Sequence, residues 1–468
     1  METMKMYIDG AFRESSNHEW SKVTNPANEE VVGQVPKGTQ EDVDLAVAAA
    51  KAALPAWSSI EPKERKAYLE KVLAGIRAQG DYLAELISME FGAAITFAQK
   101  AHIPLSINEL KTTLAEFDQY EFETYEDTAL VTKDPVGVVA CITPWNYPLN
   151  QIQRKLTPAL LAGNTVVVKP ASFTPLTALA FAKIFDDAGI PKGVVNFVTG
   201  SGSTVGDYLA KHEDVNCISF TGSTEVGAGL YEAAGPTIKR LVLELGGKSA
   251  MVYLEGGDLD YAIDKTMGTV YNNQGQTCTA LTRLLVPESM LEEVEEKLLA
   301  YYQDHIVIGD PADPKTTVGP MVSQAQKDIV LDYIDKGKAA GAKLLVGGKG
   351  VDGPGYFVEP TIFTHVTNDM TIAREEIFGP VLCVITYKTV EEAVQIANDS
   401  DYGLSGAVVG PKDKAKKVAL QLKTGNVFVN DGPRSAKAPF GGFKQSGLGR
   451  ENGLYGIDDY VELKAVFL

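Results

Sequence analysis

Cysteine is scarce in this chain of 468 residues: there are four, at positions 141, 217, 278 and 383, and no two form a CxxC pair. That spacing argues against structural zinc and against a disulfide framework, and it fits a reducing cytoplasm. No metal site is expected. Histidine is also scarce, and none of the five (His18, His102, His212, His305, His365) lies near Cys278 in sequence. This weakens a protease-like Cys–His reading, although folding can still assemble such a pair. No stretch approaches the roughly 18 apolar residues that span a membrane. The start, Met1 to Met6, runs into a polar turn without an apolar signal region, so a cytoplasmic location is the expectation. Basic residues are outnumbered 43 to 61, leaving a net charge of −18. A nucleic-acid or anionic-membrane partner is therefore not expected, and an anionic ligand must be met by local cations or helix N-termini.

What is present is long enough for two or three domains. Short strands around Asp9-Gly10 and Asn25–Asn28 precede helical patterns over 41–57, 63–91 and 107–122. The run 129–142 reads as one strand bent at Pro135, and 460–467 alternates apolar and polar residues. These two runs are candidates for sheet pairing between subunits, with pairing inside the chain as the alternative. From Thr165 the pattern becomes strand–helix–strand: strands near 165–168, 194–198, 216–221 and 240–245, with helices between them. Such alternation predicts a doubly wound parallel sheet, which binds ligands at the carboxyl ends of its strands. A second α/β unit begins beyond Gly247, and the glycine-rich run 432–453 reads as a loop returning to the site.

Six short stretches could carry chemistry. A helical pattern from Leu259 to Tyr271 runs into Asn272-Asn273-Gln274-Gly275-Gln276-Thr277-Cys278, which would hold a thiol at an element boundary. Gly200–Gly206, which includes Gly202, resembles a dinucleotide fingerprint with one residue too many. Gly222-Ser223-Thr224 opens a helix whose free N–H groups favour a pyrophosphate. Thr143–Pro148 sets the Asn146 amide between Trp145 and Tyr147, poised to donate to an oxyanion. Glu244, at an apolar strand end before Gly246-Gly247-Lys248, should be desolvated and suited to base catalysis. Glu375–Pro380 offers a carboxylate to a ribose. Each stretch alone has a bland reading: core thiol, turn glycine, Asx-turn asparagine, buried ion pair or helix-ending turn.

Together they resemble the aldehyde dehydrogenase superfamily, in order along the chain. The motifs are TPWNYP (143–148), KPASFTP (169–175), FTGSTEVG (220–227), LELGGKS (243–249), NNQGQTC (272–278), EEIFGP (375–380) and PFGGFKQSGLGRE (439–451). The resemblance implies an α/β protein of three domains: a Rossmann-like dinucleotide-binding domain (1–117 and 141–246), an α/β catalytic domain (247–445) and oligomerisation strands (118–140 and 446–468). It implies NAD(P)-dependent oxidation of an aldehyde to a carboxylic acid by a homodimer or homotetramer. Cys278 would attack the aldehyde, forming a thiohemiacetal and then a thioester. Asn146 and the Cys278 N–H would hold the oxyanion, Lys155 would support Asn146, and Glu244 would activate the deacylating water. Trp145, Lys169, Ser172, Gly202, Gly222, Ser223, Gly246, Glu376 and Phe378 would contact the cofactor, and Glu451 matches a glutamate on a proton route. Ser172 replaces the glutamate that many NAD-preferring members carry, which removes a repulsion from a 2′-phosphate, so NADP is expected to be accepted alongside NAD. By position, Tyr147, Gln151, Arg154, Asn272 and Arg434 would line the substrate tunnel. Two arginines and two amides there suggest a polar or carboxylated semialdehyde. The competing readings are a broad apolar-aldehyde dehydrogenase, a CoA-acylating enzyme and a non-catalytic nucleotide-binding protein.

Overall fold

Runs of β-branched residues alternate with helices from Val138 to Glu244, and the computed structural model, which describes all 468 residues, folds them into one parallel sheet. The strands Val138–Ile142, Thr165–Lys169 and Val195–Phe197 lie side by side in that order. Cys217–Thr221 and Arg240–Glu244 then add to the other flank of Val138–Ile142. Sheet growth thus reverses at Val138–Ile142, and such a reversal leaves a crevice beyond the carboxyl ends of the strands. Antiparallel pieces close both edges: Gly447–Leu448 beside Arg240–Glu244, and Met6–Ile8 with Ala11–Arg13 beside Val195–Phe197. Helices cover both faces, so the strands Val138–Ile142, Thr165–Lys169 and Cys217–Thr221 are wholly buried and read as continuous apolar runs.

The helix Pro148–Leu161 is buried along its whole length, although it carries Asn150, Gln151, Gln153, Arg154 and Lys155. It packs against Ile103–Glu116, Pro62–Ala78 and Pro175–Asp187. Buried polar side chains in such numbers need partners or a task.

A second sheet runs in the order Lys343–Val346, Thr361–Thr364, Val381–Tyr387, Arg283–Pro287, Ala250–Tyr253, Ser405–Val409, Asn426–Val429. All its pairings are parallel except the first. A third, three-stranded antiparallel sheet is made of Val461–Phe467, Ala129–Pro135 and Glu123–Glu126.

Several sequence expectations change here. The run 129–142 is two strands in different sheets, separated at Val136-Gly137, where Gly137 takes φ +126°. The terminal strand Val461–Phe467 pairs with Ala129–Pro135 of the same chain, from Val461 opposite Pro135 to Phe467 opposite Ala129. The stretch 446–468 is divided, because Gly447–Leu448 belongs to the first sheet. The helical pattern over 63–91 is two helices, Pro62–Ala78 and Gly80–Phe91, and the third helix spans Ile103–Glu116 instead of 107–122.

One side chain ties the first sheet to the terminal segment. Asn164 is fully buried, its Oδ1 accepts from the Gly137 N–H at 2.8 Å, and its Nδ2 donates to the carbonyls of Ala159 (3.0 Å) and Tyr460 (2.9 Å). Asn164→Ala strands the buried Gly137 N–H and takes one of two donors from each of the Ala159 and Tyr460 carbonyls, so it should destabilise the fold by about 1–3 kcal/mol. Thermal denaturation checks this, and an unchanged Tm contradicts it.

Candidate active site

Every strand end facing the crevice carries a residue that the sequence singled out. Val138–Ile142 runs into Trp145 and Asn146, and Thr165–Lys169 ends on Lys169. Cys217–Thr221 leads to Gly222 and Ser223, and Arg240–Glu244 ends on Glu244.

The thiol arrives from the second unit. Asp258 caps the helix Leu259–Tyr271 by accepting from the Tyr261 N–H at 2.9 Å. Beyond that helix Asn273, Gln274 and Gly275 take φ of +58°, +58° and +70°. Left-handed backbone is free for glycine, tolerated by asparagine and strained for glutamine. Buried amides hold the turn: Gln274 Nε2 donates to the Gly92 carbonyl (2.9 Å), and Gln276 Oε1 accepts from the Val322 N–H (3.0 Å). A side chain at Gly275 would run into the Gly379 carbonyl. Asn273 Nδ2 donates to the Asn146 carbonyl at 3.0 Å, and Asn146 Nδ2 donates to the Gln276 carbonyl at 2.9 Å. The Asn146 amide is thereby fixed two residues from Cys278, whose own N–H makes no hydrogen bond within the chain.

Cys141, Cys217 and Cys383 are fully buried, whereas Cys278 is only half-buried. Burial, followed by the charges of Glu376 and Glu244, pushes the Cys278 thiol up to about 12, with Arg154 and Arg434 pulling it back. At rest it is a thiol and needs a base before it can attack. Glu244 is 2% exposed, and neither of its carboxylate oxygens has a hydrogen-bond partner. Burial first, and then the Glu451 charge, raise its pKa well above the usual carboxylate range, against the pull of Lys155, Arg154 and Arg450. A desolvated, unpaired carboxyl of this kind suits proton transfer near neutral pH.

Behind Glu244 lies a buried charge cluster. Lys155 Nζ donates to Glu451 Oε1 at 2.7 Å. Arg154 grips Glu109 with a fork, Nε to Oε2 at 3.1 Å and Nη2 to Oε1 at 2.7 Å, and lies 3.6 Å from Glu451. Arg434 Nη2 donates to the same Glu109 at 2.9 Å. Two expectations are corrected by this arrangement. The Lys155 ammonium is held by Glu451 and not by Asn146. Arg154, 5% exposed, is occupied by the two carboxylates, so its guanidinium does not stand free in the tunnel wall.

Toward the tunnel, Tyr147 Oη lies 3.3 Å from Thr277 Oγ1, Gln151 is buried with its Oε1 unpartnered, and Asn272 is exposed. A cavity of about 350 Å³ beside Thr279 is lined by Val427, Val429, Arg434 and Phe440.

On the crevice side, a cleft of about 310 Å³ runs along Lys37, Pro170, Ser172, Gly200 and Thr204. Lys169 is 5% exposed, makes no ion pair, and is brought down to about 8 by its burial. Ser172 Oγ donates to the Gly200 carbonyl at 3.0 Å. Gly202 is exposed at the start of the next helical turn, and Ser223 caps the helix Thr224–Ala234 through the Val226 N–H. Gly246 leaves room for the Glu376 carboxylate, which accepts from the Gly247 N–H at 2.9 Å; burial pushes Glu376 up to about 7. A Cβ on Gly247 would stand 2.5 Å from the Cys278 carbonyl oxygen. Phe378, at φ +54°, meets the Trp145 ring edge-on with centroids 5.2 Å apart. A free cation, a capped helix N-terminus and an acid against two glycines in one crevice fit a dinucleotide.

Sequence reasoning passed over His102, Glu109 and Gln276. Glu109 recurs on the buried face of its helix, and Gln276 stands inside a quoted motif, so both left a signal; His102 left none.

Residues 12–466 match the profile of the aldehyde dehydrogenase family. The chain belongs to that family. The 3-succinoylsemialdehyde-pyridine dehydrogenase of a Pseudomonas species is 46% identical over 467 residues, 99% of this chain and 98% of that protein. The structure of a cysteine-to-alanine mutant of aldehyde dehydrogenase C from Pseudomonas syringae, complexed with NAD+ and octanal, is 43% identical. It superposes with a TM-score of 0.97, covering 99% of this chain and 96% of that one. An NAD+ complex of aldehyde dehydrogenase from Bacillus cereus is 38% identical with a TM-score of 0.97, over 100% of this chain and 96% of that one. This aldehyde dehydrogenase is therefore an oxidoreductase with the three-domain fold of its family, whose members use NAD(P).

The unpaired carboxylate makes a prediction about stability. Since the Glu244 pKa is raised on folding, the folded state carries a penalty wherever the unfolded carboxyl is ionised. Glu244→Gln should raise Tm at pH 8 by about 2–4 °C. The gain should fade as pH falls from the raised Glu244 range toward the ordinary carboxylate range and be gone below it. A lower Tm for the variant at pH 8 contradicts the assignment.

Proposed function

We propose that the enzyme oxidises an aldehyde to a carboxylic acid by covalent catalysis at Cys278. The observation that carries this reading is the meeting at one pocket of a half-buried thiol, a fixed amide and an orphaned carboxylate. Glu244 takes the Cys278 proton, and the thiolate sulfur bonds to the aldehyde carbon. The carbonyl oxygen becomes an oxyanion held by the Asn146 amide and the free Cys278 N–H. Lys169, Ser223 and Glu376 would hold a nicotinamide dinucleotide in the crevice, and its chemistry there would be to accept the hydride from the thiohemiacetal carbon. The sulfur is then part of a thioester. Once that first proton has been passed on, Glu244 removes a proton from water, the water oxygen bonds to the acyl carbon, the C–S bond breaks, and the same proton returns from Glu244 to the leaving Cys278 sulfur. Glu451, held by Lys155, lies close enough to act on the Glu244 charge and serves as the onward proton route. Glu244 also argues against CoA-acylation, because deacylation by water is the step that needs a base.

For the cofactor, Lys169 and Ser172 leave the ribose end without a carboxylate, which admits NADP as well as NAD. Trp145, Gly202, Gly222, Ser223, Gly246, Glu376 and Phe378 complete that surface. For the substrate, Arg434 is the arginine with an exposed face, and it favours an aldehyde with a polar or carboxylated far end. Val427, Val429 and Phe440 support a second reading, an apolar aldehyde, in keeping with the octanal held by the Pseudomonas syringae relative. The exposed Leu463 and Phe467 on the outer strand Val461–Phe467 fit burial in a homodimer or homotetramer.

Two measurements test this. Cys278→Ser should abolish aldehyde-dependent NADP reduction across an aldehyde panel, and retained turnover sinks the covalent mechanism. Succinic semialdehyde should exceed hexanal in kcat/KM by about tenfold, the worth of one charge-assisted contact. The preference should vanish in Arg434→Ala. A wild-type preference for hexanal overturns the carboxylate reading and favours the apolar one.

A further inference from the structure

The buried imidazole of His102 has no part in the chemistry above, yet it touches the residue that touches Asn146. His102 is 1% exposed and ends an irregular helical turn, Ala98–His102. Its Nε2 lies 2.8 Å from Asn273 Oδ1. Its ring stacks on Tyr147, with centroids 4.4 Å apart and planes 20° apart, and meets Phe97 edge-on at 5.4 Å.

The direction of the hydrogen bond follows from the rest of the network. Asn273 Nδ2 faces two carbonyl oxygens, those of Asn146 (3.0 Å) and Gln276 (3.4 Å), so the amide cannot be turned over without setting oxygen against oxygen. Oδ1 must therefore accept, and His102 must carry its proton on Nε2. Burial brings the imidazole down to about 4, so it is a neutral donor over the working range of pH. A chain of donors results: His102 to Asn273, Asn273 to the backbone of Asn146 and Gln276, and the Asn146 amide to Gln276 again. His102 is the partner of Asn273 Oδ1, opposite the two carbonyls that hold Nδ2. The stacked Tyr147 ring, next to Asn146 in sequence, gives His102 a second hold on the same loop.

We propose that His102 is a positioning residue for the oxyanion site, acting through Asn273 to fix the Asn146 amide. The proposal rests on the covalent mechanism above. Removing the donor should leave the cofactor crevice intact and loosen the Asn146 amide where the oxyanion forms. Misplacement of about 1 Å at a reacting centre costs up to about 100-fold in rate.

The test is a mutant cycle read by the burst of NADP reduction at saturating aldehyde, with both hexanal and succinic semialdehyde. His102→Leu should lower the burst rate by about tenfold or more while leaving the dissociation constant for NADP unchanged. His102→Gln, whose amide N–H can reach the same oxygen, should recover most of the loss. In an Asn146→Ala background His102→Leu should cost almost nothing further, because the group it positions is gone. Asn273→Gly keeps the left-handed backbone and deletes the link, so it should reproduce the loss even if His102→Leu does not fold. Additive losses in the double mutant, or failure of His102→Gln to rescue, overturn the proposal and leave the mechanism standing. Full activity of Asn146→Ala overturns the oxyanion assignment itself, and this proposal with it.

Discussion

Three consecutive left-handed residues, Asn273, Gln274 and Gly275, are the constraint on which the site depends. Gln274 carries a side chain that disfavours this backbone, so the turn stands because its surroundings over-determine it. The amides of Asn273, Gln274 and Gln276 reach out to Asn146, Gly92 and Val322, on segments far away in sequence. The turn is thus formed by the docking of the two α/β units, and Cys278 comes to face the first sheet only when both are folded. Strain local to the chain is offset by hydrogen bonds that are not local.

The electrostatics follow the same division. Arg154 and Lys155 sit on a helix buried on every side, and each is matched by a carboxylate, Glu109 or Glu451. Glu244 and Cys278 are left without such partners. The cluster behind is paired by charge, while the groups in front stay desolvated and are raised above their ordinary titration ranges. Pairing Glu244 directly with a lysine would stabilise the fold and remove its use as a base. The paired Glu451 and Lys155 instead modulate Glu244 at one remove.

The sequence disclosed some of this and withheld the rest for physical reasons. The alternation of buried strands and helices after Thr165 was plain, because a parallel sheet covered on both faces must be apolar throughout. The break at Val136-Gly137 was not, since Pro135 permits either a bend within one strand or a change of sheet. What crowds Gly246 and Gly275, the Glu376 carboxylate and the Gly379 carbonyl, is set by the fold and comes from segments about 100 or more residues away. The partner of Arg154 is hidden in the sequence because Glu109 lies on another helix, and pairing across helices has no sequence period. His102 was invisible for a related reason: a single polar residue in an apolar pattern reads the same whether it fills space or orients a loop.

The account rests on an acyl group passing through the sulfur of Cys278 and leaving through water activated by Glu244. The most direct measurement is intact-protein and peptide mass spectrometry of acid-quenched Glu244→Gln after one exposure to NADP and aldehyde. The account predicts that the acyl mass accumulates in near-stoichiometric amount on the peptide containing Cys278 and is removed by hydroxylamine. An absence of acyl enzyme in a variant that still reduces NADP, or its appearance on another residue, would contradict it.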